Sequence, residues 1–267
     1  MSKGMFIKDD APNKRIVQDI IYKWLSPFYK IKNYCMTIAM LPGYVPERSL
    51  EMYHKYFTIK SLRRTWKPII HAFERDMDTY TYLKQTQPFQ AGRQQVDFRL
   101  NPRNVRDAVI VHDLEDLDFC TNLFADRTRQ YPNVMHIDSF SIIRKRLGTM
   151  VTSTKKPARH SLMFTVSLRN GLGKESTTQC LRSLVYMLGW NIDYIDNRPP
   201  TSYGKGIMIE GSGRVHENGN KYYAYEHVVQ LSSMAHCDPY AKRNVGVRMF
   251  TYTDGTPMLT FAITFEN

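Results

Sequence analysis

The chain has 267 residues, 42% of them hydrophobic and 12% aromatic. With no long polar tract this excludes intrinsic disorder and suffices for one large domain or two ordinary ones. Lysine and arginine outnumber aspartate and glutamate 37 to 25, a formal charge of +12 with a pI near 9.5, which favours nucleic acid or an acidic membrane surface as partner.

The excess is uneven, with 25 basic against 16 acidic residues in 1–155 and 12 against 9 thereafter. No apolar run approaches the roughly 18–20 residues of a membrane span, and nothing at the N-terminus resembles a signal peptide. Cys35, Cys120, Cys180 and Cys237 are widely spaced with no Cys-x-x-Cys pair. The expectation is an intracellular protein, cytoplasmic or nuclear, with reduced thiols and neither secretion nor a transmembrane segment.

In chain order, residues 13–26 place Ile16, Ile20 and Trp24 beside Val17, Ile21 and Leu25, an amphipathic helix that Pro27 should stop. Glu47 to Trp66 is helix-like, with Leu50, Tyr53, Phe57 and Leu62 as core positions, and a further helix is expected over Ile69 to Leu83. Residues 107–112 suggest a short strand, the pattern around Leu117, Cys120, Leu123 and Phe124 a helix, and 133–138 a second strand, together a βαβ unit. Residues 148–159 are rich in Thr, Ser and Lys with Pro157, which predicts a linker and a soft boundary near 155.

The C-terminal segment reads as a strand at 161–168, a helix near 177–188 and a strand at 192–196. Two hairpins follow, at Asn218-Gly219 and at Asp254-Gly255. A two-residue turn at Asp254-Gly255 sets Phe250 against Leu259 and Arg248 against Phe261, with Leu259, Phe261, Ile263 and Phe265 on one face. The fold class expected is α+β. A mainly helical N-terminal part (1–155) with the βαβ unit precedes an antiparallel-rich sheet with one packed helix (156–267).

The strand at 161–168 leads through Arg169-Asn-Gly-Leu-Gly-Lys174 into a helix, the order of a phosphate-binding loop. Gly171, Gly173, Lys174 and Ser176 are its candidate cofactor-binding residues. Residues 162–197 resemble the deviant P-loop of the ParA/MinD-type ATPases, which implies nucleotide binding. The resemblance departs at Leu168, where the usual pattern has a glycine, at Arg169, where the deviant family has its signature lysine, and at Glu175, which replaces the magnesium-binding hydroxyl. The favoured reading is a glycine turn with Lys174 solvated.

Lys60, Arg63, Arg64 and Lys67, with Trp66, recur at helical spacing and suit phosphate contacts with base stacking. Arg144, Lys145 and Arg146, then Lys155, Lys156 and Arg159, bracket the expected linker. Asp113, Glu115, Asp116 and Asp118 form an acidic patch read as a helix's first turn rather than a magnesium site. His236-Cys237-Asp238 lacks identifiable further ligands, and Gly211-Ser-Gly213 lacks a complete nucleophile elbow. No catalytic residue, metal site or cofactor is assigned. These features predict a non-enzymatic structural or assembly protein of the capsid, nucleocapsid or matrix kind that binds nucleic acid, RNA by preference, and is compatible with homo-oligomers. A degenerate P-loop enzyme and a peripheral protein on acidic membranes are the alternatives.

Overall fold

Short apolar runs that periodicity alone leaves ambiguous turn out to be the strands of one large sheet. The computed structural model describes residues 11–30, 35–43, 46–62, 64–86, 96–123, 139–153, 159–168, 174–195, 207–208, 224–234, 242–254 and 256–266. In chain order its helices are α1 (Pro12–Lys30), α2 (Glu47–Phe57), α3 (Met77–Thr86), α4 (Ser139–Thr152) and α5 (Lys174–Tyr186). The strands are β1 (Thr37–Met40), β2 (Ile59–Lys60), β3 (Thr65–Trp66), β4 (Ile69–Phe73), β5 (Asp97–Asn101), β6 (Leu114–Asn122) and β7 (Arg159–Ser167), then β8 (Trp190–Ile195), β9 (Ile207–Met208), β10 (Ala224–His227), β11 (Val229–Ser233), β12 (Arg243–Thr253) and β13 (Pro257–Glu266).

Nine of these strands pair in the order β5-β4-β1-β6-β7-β13-β12-β10-β9. The first five are mutually parallel, and β13 is antiparallel to both β7 and β12. From β1 the chain moves outward through β4 to β5, returns to the other edge of β1 as β6, and moves outward again through β7. Because the hand of a βαβ crossover is fixed, reversing direction sends the later helices to the opposite face. Accordingly Val17 and Ile21 of α1, Leu50 and Tyr53 of α2 and Leu83 of α3 pack with Ile38, Met40 and Ile70. Ile143 and Leu147 of α4 and Leu181 and Leu184 of α5 pack instead with Ala39, Phe73, Leu117 and Phe164. This is a doubly wound, Rossmann-like α/β sheet, which corrects the expected α+β class with its helical N-terminal part. The sheet also runs through the expected boundary near 155, since β6 pairs with β7 from Leu114↔Ser161 to Asp118↔Thr165.

Several elements lie elsewhere than the pattern suggests, each for a physical reason. The helix expected over 69–83 is β4 followed by α3: Ile69 to Phe73 lies inside a parallel sheet, where both faces are covered and alternation disappears. The helix expected near 117–124 is β6, while 107–112, expected as a strand, starts with the end of a 3-10 turn at Val105–Asp107 and forms no strand. The helix expected over 47–66 ends at Phe57, and 59–66 forms the small β2–β3 hairpin. Residues 148–152 belong to α4, and 133–138, 154–158 and the tip of the Asn218-Gly219 hairpin fall outside the described residues.

Pro27 does not stop α1, which continues to Lys30. Proline leaves the carbonyl of Lys23 without its helical donor, and the Ser26 hydroxyl donates to that oxygen at 3.4 Å. The C-terminal hairpin forms with Thr253↔Pro257, a three-residue turn one position out of the expected register. Phe250 therefore pairs with Thr260 and faces the α1 side, whereas Leu259, Phe261, Ile263 and Phe265 share the α4/α5 side as expected.

That turn has a structural task. The Asp254 carboxylate accepts the backbone N–H groups of Asn13 and Lys14, at 3.2 and 2.8 Å, so the hairpin caps the start of α1. Asp254→Ala should lower stability by about 1 kcal/mol, within the ~0.5–2 kcal/mol of lost N-terminal caps, with Asp254→Asn retaining most of it. Urea denaturation of the two variants measures this directly.

Candidate functional site

The chain reverses direction between β1 and β6, and in open α/β sheets ligands bind at such a point, outside the carboxyl ends of the strands. Three residues form a row across it: Met40, the last residue of β1, pairs with Ala72 of β4 and with Asp116 of β6. Two positions beyond that row lie Glu74, just past the end of β4, and Asp118, still on β6. With strands about 4.8 Å apart, these carboxylate-bearing residues flank the tip of β1 at roughly 10 Å.

Glu74 is half-buried, and burial pushes its carboxyl up while the Asp76 amide, donating at 2.8 Å, opposes the shift. Its own backbone N–H donates to the Asn101 carbonyl at 3.0 Å, and the Asn101 amide donates to the Ala72 and Arg99 carbonyls, which ties the tips of β4 and β5 together. Asn104 caps the following 3-10 turn through the Arg106 amide. Asp118 pairs with Lys14 from the first turn of α1, their side chains 27% and 30% exposed. Beyond β1, Gly43 adopts φ +57°, a conformation that favours glycine. At the start of α2 one carboxylate oxygen of Glu47, Oε2, is buried without a hydrogen-bond partner among the described residues.

Beneath this edge β6 carries charge into both faces of the sheet. On the α1/α2 side Asp116 accepts the hydroxyls of Tyr22 and of Tyr53, the latter at 2.6 Å. Burial pushes its carboxyl up to about 6, more than the two tyrosines lower it. On the α4 side Glu115 accepts Arg146 Nε at 3.0 Å, and His112 Nδ1 lies 3.2 Å from the same carboxylate. Burial would raise Glu115, but His112 and Arg146 outweigh it and hold the carboxyl near 2. Arg146 also donates to the carbonyls of Ala108 and Ile110, anchoring α4 to the chain entering β6. The expected acidic patch is thus dispersed over two faces of a strand. Among the described residues no group of three or more His, Cys, Asp or Glu side chains is placed to hold a metal ion.

Among the described residues, the basic side chains singled out in the sequence do not form one surface. Lys60, Arg64 and Lys67 are exposed on the β2–β3 hairpin, where the Arg64 guanidinium lies 3.9 Å from the ring centre of half-buried Trp66. This hairpin joins the end of α2 to the start of β4, at the edge of the sheet opposite the crevice, and the helical spacing expected of these cations does not exist. Arg146 is fully buried and ion-paired, which removes it from any phosphate contact. Arg159 pairs with Glu266 and covers the Phe28 ring at 3.9 Å. Lys145 lies 3.6 Å from Asp107, and Arg144 is exposed. Arg63, Lys155, Lys156, Gly171, Gly173, 211–213 and 236–238 lie outside the described residues, as do the side chains of Lys174 and Ser176. In the expected P-loop unit β8 would join the sheet that holds β7, but it pairs with β11 in a separate two-stranded sheet. Glu74, Lys14, Tyr22 and Glu47 were not recognised in the sequence. An acid directly after a short apolar run is the signal for Glu74, and it is readable only once 69–73 is taken as a strand.

No family model and no curated protein matches the chain. Solved structures do. TYW2 from M. jannaschii in complex with AdoMet is 13% identical, with a TM-score of 0.41 over 94% of this chain and 76% of that one. A SAM-dependent methyltransferase from Agrobacterium tumefaciens is 11% identical, with a TM-score of 0.43 over 93% of this chain and 61% of that one. Magnesium protoporphyrin IX methyltransferase from Synechocystis with bound SAM is 11% identical, with a TM-score of 0.42 over 94% and 79%. At these values the fold is identified by the strand order itself. The expectation of a non-enzymatic capsid, nucleocapsid or matrix protein is corrected: the chain builds a doubly wound sheet, and the solved structures similar to it are methyltransferases. No described helix is long and apolar enough to cross a membrane.

Removing Arg146 leaves Glu115 buried without its main counter-charge, so Arg146→Met should destabilise the protein by about 3–5 kcal/mol. Because Glu115 sits below its ordinary value of 4.5 in the folded state, its contribution is complete above that value and is lost as pH falls towards about 2. Denaturant midpoints at several pH values should show the wild type losing this contribution on acidification and Arg146→Met losing less.

Proposed function

We propose that the chain is an S-adenosylmethionine-dependent methyltransferase whose cofactor lies over the tip of β1. The observation that carries this reading is Glu74 beside the switch point, at the end of the strand next to β1. A carboxylate there can accept both vicinal hydroxyls of a ribose, as the equivalent acid does in nucleotide-binding sheets.

The surrounding residues favour an adenosyl group without phosphates. The segment after β1, Leu41-Pro42-Gly43-Tyr44-Val45-Pro46, has a single glycine, and its two prolines lack the N–H groups that would wrap a pyrophosphate. Dinucleotide-binding folds seat the pyrophosphate at the start of the next helix, where this chain places Glu47. An acid repels phosphate there but suits a cation, and the unpartnered Glu47 oxygen fits the ammonium end of an amino-acid moiety. The loop after β5, from Asn101 through the turn capped by Asn104, is braced to line the adenine side. When bound, the cofactor supplies a sulfonium methyl group to a nucleophile.

On the other side of β1 the Asp118–Lys14 pair bounds the acceptor half of the crevice, held by the Asp254 cap on α1. Asp116 and its two tyrosines close the floor beneath it. The acceptor class we assign is nucleic acid, supported by the formal charge of +12.

Isothermal titration with S-adenosylmethionine should give saturable binding to the wild type and none with NAD. Hydrogen bonds to a charged group contribute about 1.5–3 kcal/mol. Glu74→Ala should therefore weaken binding about ten- to a hundredfold, with an unchanged melting temperature. Wild-type protein that ignores the cofactor, or Glu74→Ala that binds it equally well, overturns the assignment.

A further inference from the structure

We infer that the groove between α4 and α5 holds a single-stranded segment of nucleic acid, the acceptor strand of the transferase reading on which this assignment rests. The two helices follow parallel strands β6 and β7 and lie side by side on one face. They come together where Gly148 faces Met187, a Cβ built at the glycine lying 3.6 Å from the methionine methyl carbon. Between them and β8 opens a cavity of ≈ 900 Å³ whose lining includes Phe140, Arg144, Gln179, Arg182, Tyr186 and Asn191.

Three observations make it a groove for a polyanionic strand. Arg144 and Arg182 are exposed on its two walls, and neither is ion-paired to another described residue, whereas the neighbouring Lys145 and Arg146 are both engaged by carboxylates. Tyr186 is 60% exposed beside them, a flat ring presented to solvent at the same groove. Guanidinium groups that track phosphates, with an aromatic ring on which a base stacks, are the chemistry by which single strands are held. The side-chain amides of Gln179 and Asn191 add donors and acceptors suited to base edges. A duplex hides its base faces, so the Tyr186 ring selects for an unpaired strand.

The groove also begins at the edge of the sheet where the crevice is proposed. The Phe140 N–H donates to the carbonyl of Leu123, the residue just past β6, at 3.1 Å. Its upper end therefore starts at the carboxyl edge of β6, beside the acceptor half of the site. The β2–β3 hairpin, with its own cations, lies at the other edge and takes no part.

The test is fluorescence anisotropy with an end-labelled oligouridylate of roughly 15 nucleotides, a length within reach of a single-strand site. Wild type should bind at about 50 mM salt and lose affinity steeply by about 200 mM. Arg144→Glu with Arg182→Glu should reduce affinity at least about tenfold, and Tyr186→Ala at least about fivefold, both with unchanged melting temperatures. Lys60→Glu with Lys67→Glu should change affinity by less than about twofold. Absence of wild-type binding, a preference for duplex, binding to anionic phosphatidylserine vesicles but not to the strand, or loss of binding only in the hairpin variant would each overturn the assignment. Titration of the Arg144/Arg182 variant with S-adenosylmethionine separates the two readings. Intact cofactor binding with lost strand binding supports both, and a wild type that binds the strand through these arginines but not the cofactor leaves the groove standing and removes the transferase.

Discussion

Four residues, Thr37 to Met40, hold the molecule together. As β1 they bond to β4 along one edge and to β6 along the other, both parallel, and so occupy the place where the sheet changes winding direction. A strand this short has little side-chain area of its own, and its anchoring comes from its neighbours. The Asp113 carboxylate accepts the Thr37 N–H at 2.8 Å and its hydroxyl at 3.0 Å, which fixes β1 against the chain entering β6. Because β1 ends at Met40 while β6 continues to Asn122, Glu74 and Asp118 lie beyond its tip on either side.

The long strand β6 shows how burial of charge is made tolerable. Alternation puts Glu115 on one face and Asp116 on the other, so the two acids never share a partner. Glu115 remains ionised because a guanidinium and an imidazole face it, whereas burial, helped by nearby Asp118, raises the proton affinity of Asp116 by more than the Tyr22 and Tyr53 hydroxyls lower it. The first arrangement ties α4 to the lower sheet. The second ties α1 and α2 to the wall beneath the crevice, with the Tyr22 ring tilted against Tyr53 and edge to face with Phe57. The helices on each face are thus positioned by a buried carboxylate as well as by apolar contact.

Sequence patterns revealed the elements whose signals are local. The stripe of α1, the strand-like segment of β7, the amphipathic α5 and the inward face of β13 are all recognisable from spacing. Patterns failed where the decisive partner is remote. Acidic residues at 115, 116 and 118 argue against a strand, and the side chains that neutralise them, Arg146, Tyr22, Tyr53 and Lys14, lie 31 to 104 positions away. The register of the last hairpin shifted because Asp254 is committed to the start of α1, 240 residues earlier. Misreading 69–73 as helix had the largest cost, since it removed the strand that gives Glu74 its place. Basic residues are likewise uninformative singly: Arg144 and Arg146, two positions apart, end respectively at the surface and in the core.

A ligand held over the tip of β1 must slow backbone exchange in the segments that border it and nowhere remote from it. Hydrogen–deuterium exchange with and without S-adenosylhomocysteine, the cofactor's product, reads this out across the chain. Protection concentrated in 37–43, 69–76 and 97–108 is expected of a cofactor held there. Exchange unchanged in all three segments, or protection confined to the glycine segment between β7 and α5, would contradict that placement.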